Sequence, residues 1–153
     1  MNKVEDVINE GMFTSKTDLW ATPQWFFDKL NQEFNFTLDP CATEDNAKCS
    51  KFYTVTENGL IQNWGGYCVF CNPPYGREIT EWVKKAYETH HQYGNTIVML
   101  LPARTDTRWF HDYIYKQAEI RFIKGRLKFG DSKNSAPFPN MLVIFKEDKQ
   151  CKV

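Results

Sequence analysis

Asn72-Pro73-Pro74-Tyr75 stands directly behind an apolar run, Tyr67 to Phe70, and brings together residue types able to do chemistry. The Asn72 side-chain oxygen and the Pro73 carbonyl make a pair of acceptors suited to the two hydrogens of an amino group on a planar ring. An aromatic amine is a weak nucleophile because its lone pair is delocalised into the ring. Two acceptors that draw the nitrogen toward a tetrahedral shape stabilise the transition state of attack more than the ground state. Prolines 73 and 74 hold φ near about −65° and keep the residue before each of them out of the helical region, so the acceptors are set in place at low entropic cost. Tyr75 offers a ring on which a planar substrate could stack. Asn and Pro are also ordinary turn formers, and the four residues alone describe a strand-ending turn as well.

The elements that must position this stretch are apolar runs alternating with helical patterns. Residues 67–71, 96–101 and 141–145, with Ile120, Phe122 and Ile123 as a fourth run, read as buried strands. Ile79, Trp82, Val83, Ala86 and Tyr87 recur at helical spacing, and so do Trp109, Phe110, Tyr113, Ile114 and Gln117. Earlier, Thr22 fits an N-cap and Pro23 a first helical position, ahead of Trp25, Phe26, Leu30 and Phe34, so a helix of about 23–33 is expected. Phe36 to Leu38 reads as a short strand broken by Asp39-Pro40. Strand and helix in alternation imply an α/β domain with a mostly parallel sheet and crossover helices. Such sheets bind ligands beyond the carboxyl ends of their strands, which here gathers Asp39, Asn72, Pro102 to Arg104 and the segment after Phe129.

Composition narrows the remaining possibilities. With 153 residues, 42% of them hydrophobic and 16% aromatic, one domain with a sizeable core is expected. Lys and Arg number 19, as do Asp and Glu, so contact with a polyanion must use a local patch rather than a global field. The longest apolar run, Ile97 to Leu101, is far short of the ~20 residues that cross a bilayer. Five cysteines without a secretory leader pattern suggest free thiols in a cytoplasmic setting, the host cytoplasm if the chain is phage-encoded. Cys41, Cys49, Cys68 and Cys71 raise a rival reading, a zinc-stabilised nucleic-acid-binding module without enzymatic activity. In an extended strand, however, positions 68 and 71 point to opposite faces, so no metal is expected. His90, His91 and His111 form no zinc-protease spacing, and no phosphate loop is present.

The ordered stretches Thr22-Pro23, Leu38-Asp39-Pro40-Cys41-Ala42, Gly59-Leu60 with Trp64, the NPPY, Pro102-Ala103-Arg104, Gly125-Arg126 and Ala136-Pro137-Phe138-Pro139 together resemble the phage-type DNA N-6-adenine methyltransferases, over about residues 20–146. That resemblance implies a single-domain Rossmann-like methyltransferase that uses S-adenosylmethionine and acts on an adenine flipped out of double-stranded DNA. It implies cofactor contacts from Thr22, Pro23, Asp39, Pro40, Cys41, Ala42 and Asn72, with Asp39 at the ammonium or a nearby backbone group of the methionine part and Glu57-Asn58 near the adenine. Cys41-Ala42-Thr43 stands where many nucleotide-binding methyltransferases have a glycine-rich loop, and Glu44, Asp45 and Glu57 all remain candidates for the ribose hydroxyls. Tyr75 would stack on the flipped base. Arg104, Arg108, Arg126, Lys128 and Lys133 would contact DNA phosphate, and Phe138 would line the base pocket. NPPY sites also act on protein glutamine and other planar nitrogens, so a protein or RNA acceptor stands as the alternative. Residues 1–16 read as an arm, 17–147 as the domain and 148–153 as a tail. The oligomeric state and the recognised DNA sequence are not legible.

Overall fold

The computed structural model describes residues 21–129 and 135–147. The expected arm and tail and Lys133 lie outside them. Helix α1, Gln24–Phe34, buries Phe26, Phe27 and Leu30. Trp25, expected on that face, is instead 63% exposed, and Phe27 takes its place in the core. Pro23, not Thr22, occupies the cap position, with no side-chain cap bond. Its carbonyl accepts from the N–H of Phe26 and Phe27. Asn35 closes the helix in the left-handed region at φ 57°, where Asn is tolerated better than most residues.

Four strands follow in one sheet: β1 Val69–Cys71, β2 Ile97–Pro102, β3 Glu119–Phe122 and β4 Asn140–Phe145. Helix α2, Ile79–Tyr93, crosses over between β1 and β2. The spatial order is β1-β2-β4-β3. Only β1 and β2 pair in parallel; β4 runs antiparallel to both β2 and β3. The mostly parallel sheet expected from the sequence is therefore corrected to a mixed one. The physical reason lies in the connection: residues 123–139 supply no crossover helix among those described, and a strand that returns without one pairs antiparallel. Segment 36–39 forms no full strand but lays single parallel bridges, Leu38 beside Val69 and Asp39 beside Phe52.

Register places the helices on opposite faces. Phe70, Val98 and Ile144 are in line across β1, β2 and β4, and Phe27 of α1 packs edge-on to Phe70 at 5.2 Å. Val69, Ile97 and Phe145 line the other face, where Tyr87 and His90 of α2 meet Phe145. Both faces of β2 and β4 are thus covered, and every one of their residues is buried. β3 departs from the expected burial because it forms the edge, leaving Phe122 66% exposed. The helical pattern around Trp109 is realised only as a short π-helical turn, Phe110–Ile114, closed by the Tyr115 N–H on the Phe110 carbonyl at 2.8 Å. Among the described residues no helix is long and apolar enough to cross a membrane.

Candidate active site

The carboxyl ends of β1, β2 and β3 share one edge of the sheet, and β4 begins there. Pro102 pairs with Asn140, the Ala103 N–H donates to the Pro139 carbonyl at 2.8 Å, and the Ile123 N–H donates to the Asn140 carbonyl at 3.2 Å. Asp39, Asn72 and the segments 102–108 and 123–129 therefore gather around one rim.

Asp39 is 4% exposed, and its carboxylate accepts from the backbone N–H of Cys41 at 3.3 Å and of Lys48 at 3.0 Å. Burial pushes its carboxyl up to about 6, against the pull of the Lys48 and Cys41 N–H groups. Beside it, Asn72 Nδ2 donates to Thr22 Oγ1 at 3.0 Å across fifty residues of chain. Thr22 is buried, and this bond explains why its hydroxyl does not cap α1: a tertiary partner has taken it. The bond also fixes the orientation of the Asn72 amide. Ala21, Thr22, Asp39, Cys41, Asn46, Lys48, Phe70 and Asn72 enclose a small polar recess of about 30 Å³.

The recess adjoins a larger cleft of about 370 Å³, with Cys41 and Asn46 common to the walls of both. Pro40, Ala42, Val55, Leu60, Pro74 and Trp82 give this cleft apolar walls, while Asn58, Glu78 and Glu81 add polar groups. Among the described residues no Lys or Arg lines it, which suits a neutral ring system rather than a phosphate. Behind its Trp82 wall, Trp64 is fully buried, stacks on Trp82 at 5.9 Å, and donates from Nε1 to the Gly59 carbonyl at 2.8 Å. A Cβ at Gly59 would overlap the Pro40 carbonyl, so only glycine lets this turn approach the Asp39-Pro40 segment.

Asn58 lines the cleft, in a left-handed conformation at φ 59° with Oδ1 accepting from the Leu60 N–H. Glu57 does not line it. Its carboxylate is bound to the N–H and hydroxyl of Thr54 at 2.8 and 2.9 Å, which holds its pKa below the usual range. Glu44 and Asp45 are exposed and also lie outside the cleft lining. Sequence reasoning missed Glu78, Glu81 and Trp82 in the walls. Glu81 and Trp82 sit in a helix whose periodicity announces packing, and no local pattern marks them as site residues.

Tyr75 is only 4% exposed. Its hydroxyl donates to the Leu100 carbonyl at 2.9 Å and accepts from Asn140 Nδ2 at 3.4 Å. Phe138 and Phe129 meet its ring edge-on at 5.4 and 6.3 Å. Phe138 itself is half-buried, with the Arg104 guanidinium 5.9 Å from its centroid. Arg108 and Lys128 are exposed, and Arg126 donates from its guanidinium to the Ala136 carbonyl at 3.3 Å.

Cys71 is fully buried, whereas Cys68 is half-buried and donates to the Phe34 carbonyl at 3.3 Å. Burial pushes the Cys68 thiol up to about 11 and that of Cys49 up to about 12, and raises those of Cys41 and Cys71 as well. Among the described residues no group of three or more His, Cys, Asp or Glu side chains is placed to hold a metal ion.

The site thus holds an Asn-Pro-Pro-Tyr turn at a strand end, between a buried carboxylate and an apolar cleft. The family model for DNA N-6-adenine-methyltransferases (Dam) matches residues 11–152. A DNA N-6-adenine-methyltransferase of Haemophilus phage HP1 is 37% identical over 139 residues, covering 86% of this chain and 80% of that protein. A protein of the same description from Escherichia phage T1 is 40% identical over 112 residues, covering 72% of this chain and 46% of its own length. The chain belongs to the DNA N-6-adenine-methyltransferase (Dam) family.

Proposed function

We propose that this chain methylates the exocyclic N6 of adenine in DNA, using S-adenosylmethionine, on a Rossmann-like framework. The observation that carries the reading is the position of the Asn-Pro-Pro-Tyr turn on the seam between two cavities: Asn72 lines the polar recess and Pro74 lines the larger cleft.

The residues present fit that cofactor. A buried carboxylate with only backbone donors suits the ammonium of the methionine end. A cleft with apolar walls, Asn58 and two carboxylates, and no cation suits a nucleoside rather than a nucleotide. Asp39 would hold the ammonium; Thr22, Pro23, Pro40, Cys41 and Ala42 would shape the junction. Asn58, with Glu78 and Glu81 rather than Glu57, would face the nucleoside. When bound, the cofactor supplies an electrophilic methyl group.

Asn72 Oδ1 and the Pro73 carbonyl accept the two amino hydrogens of the target base and hold its nitrogen toward the seam. No general base is assigned, because the amine can lose its proton during or after methyl transfer. The adenine must leave the duplex, since its amino group is otherwise engaged in pairing. Phe138 swings off Tyr75 so that the base can lie against the Tyr75 ring, and Arg104, Arg108, Arg126 and Lys128 take phosphates around the rim; Lys133, outside the described residues, is proposed as a further phosphate contact. A cytoplasmic enzyme follows from such a substrate.

Transfer of a labelled methyl group to DNA, RNA and protein, measured in parallel, tests the reading. Label is expected in DNA as N6-methyladenine, and Asn72→Ala should slow the transfer by about 10²- to 10³-fold, the scale for losing one organising hydrogen-bond partner of the transition state. Incorporation into protein or RNA but not DNA would refute it.

A further inference from the structure

Two oppositely charged residues, Asp39 and Lys48, line the polar recess and do not pair with each other. The Asp39 carboxylate receives only the two backbone N–H groups already described, and among the described residues no cation lies within ion-pair distance of it. Lys48 also lines the recess and is half-buried, yet its ammonium is not drawn onto Asp39. It donates instead to Gln24 Oε1 at 2.8 Å, in the first turn of α1. Gln24 is oriented by its other end, where Nε2 donates to Asp28 Oδ1 at 2.8 Å. The Asp28 carboxylate thus turns the amide so that its oxygen faces Lys48, and the amide oxygen keeps the ammonium away from Asp39.

Burial costs Lys48 more than the nearby Asp39 and Asp28 carboxylates return, so its pKa falls below the ordinary lysine value. A partly dehydrated cation and a buried anion on the walls of one recess, kept apart by a third side chain, complement a small ligand that carries both charges on neighbouring atoms. An α-amino acid end is such a ligand.

We propose that Lys48 binds the carboxylate of the cofactor's methionine end, opposite Asp39, and that Gln24 is the positioning residue that keeps its ammonium available. This rests on the cofactor reading given above. Nothing in the polar run Thr43 to Lys51 distinguishes Lys48 by spacing, and its placement comes from the fold: its own backbone N–H is bound to Asp39, which fixes where its side chain begins.

The test is calorimetric titration of the full chain with S-adenosylmethionine and with its decarboxylated analogue, which keeps the sulfonium and the ammonium and lacks only the carboxylate. The wild-type chain should bind the analogue about 10- to 100-fold more weakly, the range for losing a charge-assisted hydrogen bond. Lys48→Met should lose about that factor for S-adenosylmethionine and less than about threefold for the analogue, and Lys48→Arg should recover most of the loss. Asp39→Asn should weaken both ligands and leave the discrimination between them intact. Equal losses for both ligands in Lys48→Met, or none, would overturn the assignment. If Lys48→Met fails to fold, Gln24→Ala serves in its place: release of Lys48 toward Asp39 should weaken S-adenosylmethionine several-fold, and unchanged affinity would count against the proposal. A wild-type chain that binds neither ligand would overturn the cofactor reading itself, and the role of Lys48 with it. A wild-type chain that binds both equally would overturn the Lys48 assignment alone.

Discussion

Replacing Asp39 by asparagine should move two quantities in opposite directions. The carboxyl is buried, and its pKa is raised from 3.8 to about 6. A folded-state value above the unfolded one means that this side chain's favourable contribution is complete below about pH 4 and is lost as the pH rises through 6. Roughly two units at 1.36 kcal/mol each make that loss about 3 kcal/mol at pH 8 in the ligand-free protein. Asparagine cannot ionise and escapes it, but one of the two backbone N–H groups now held by Asp39 then faces an amide NH₂, at a cost of about 1–2 kcal/mol. The net expectation is a variant about 1–2 kcal/mol more stable at pH 8, or several degrees in Tm for a domain of this size, with a flatter stability profile between about pH 4 and 6. Cofactor affinity should fall by about 30-fold or more, since an ammonium buried without its carboxylate loses at least ~2 kcal/mol. Thermal melts at pH 5 and pH 8, with and without S-adenosylhomocysteine, measure both effects. A variant that is less stable at pH 8 and binds the ligand unchanged would show that Asp39 is a structural turn residue and refute the reasoning.

Other consequences can be checked more briefly. Tyr75→Phe removes the donation to the Leu100 carbonyl and the acceptance from Asn140, and should cost about 1–2 kcal/mol in urea unfolding; no change would mean that the hydroxyl does not anchor the turn to β2. Gly59→Ala forces a methyl group against the Pro40 carbonyl and should destabilise by about 1–3 kcal/mol while weakening cofactor binding, read by melting and titration on the same sample. Arg104→Ala should lower the slope of log affinity for DNA against log salt by about one without changing which sequence is methylated, as expected for a phosphate contact.

Much of this arrangement was legible because it is local. The spacing of Ile79, Trp82, Val83 and Ala86 marks α2, and the apolar runs mark β2 and β4, since burial on both faces leaves no polar alternation to confuse them. The N-terminal helix was placed within a residue, yet its buried face was not: Trp25 and Phe27 lie two positions apart, and only the Phe70 ring across the interface decides which of them packs. Thr22 illustrates the same limit in polar form, because a cap residue and a partner for Asn72 look alike until the fold brings residue 72 alongside. The direction of β4 depended on what fills 123–139, and reading strands without weighing that connection gave the wrong pairing. Asp39 and Asn72 stood out because strand ends and prolines constrain them. Lys48, Glu78 and Glu81 did not, because charged residues in a polar run or on a helix surface carry no signature of the cavity they come to face.

The reversed strand also bears on how such enzymes diversify. Because β4 runs against its neighbours, the chain leaves the reactive rim after Phe122 and returns to the same rim at Asn140, with both ends of the excursion fastened: Ile123 to Asn140, Ala103 to Pro139, and Leu127 to Ala136. Lengthening a loop so clamped adds only about 0.6 kcal/mol of closure entropy for each doubling, and no strand register need shift to absorb it. A segment inserted between Leu127 and Ala136 therefore starts and ends at positions held by the Ala136 N–H on the Leu127 carbonyl, so its length can change while strands β3 and β4 keep their register.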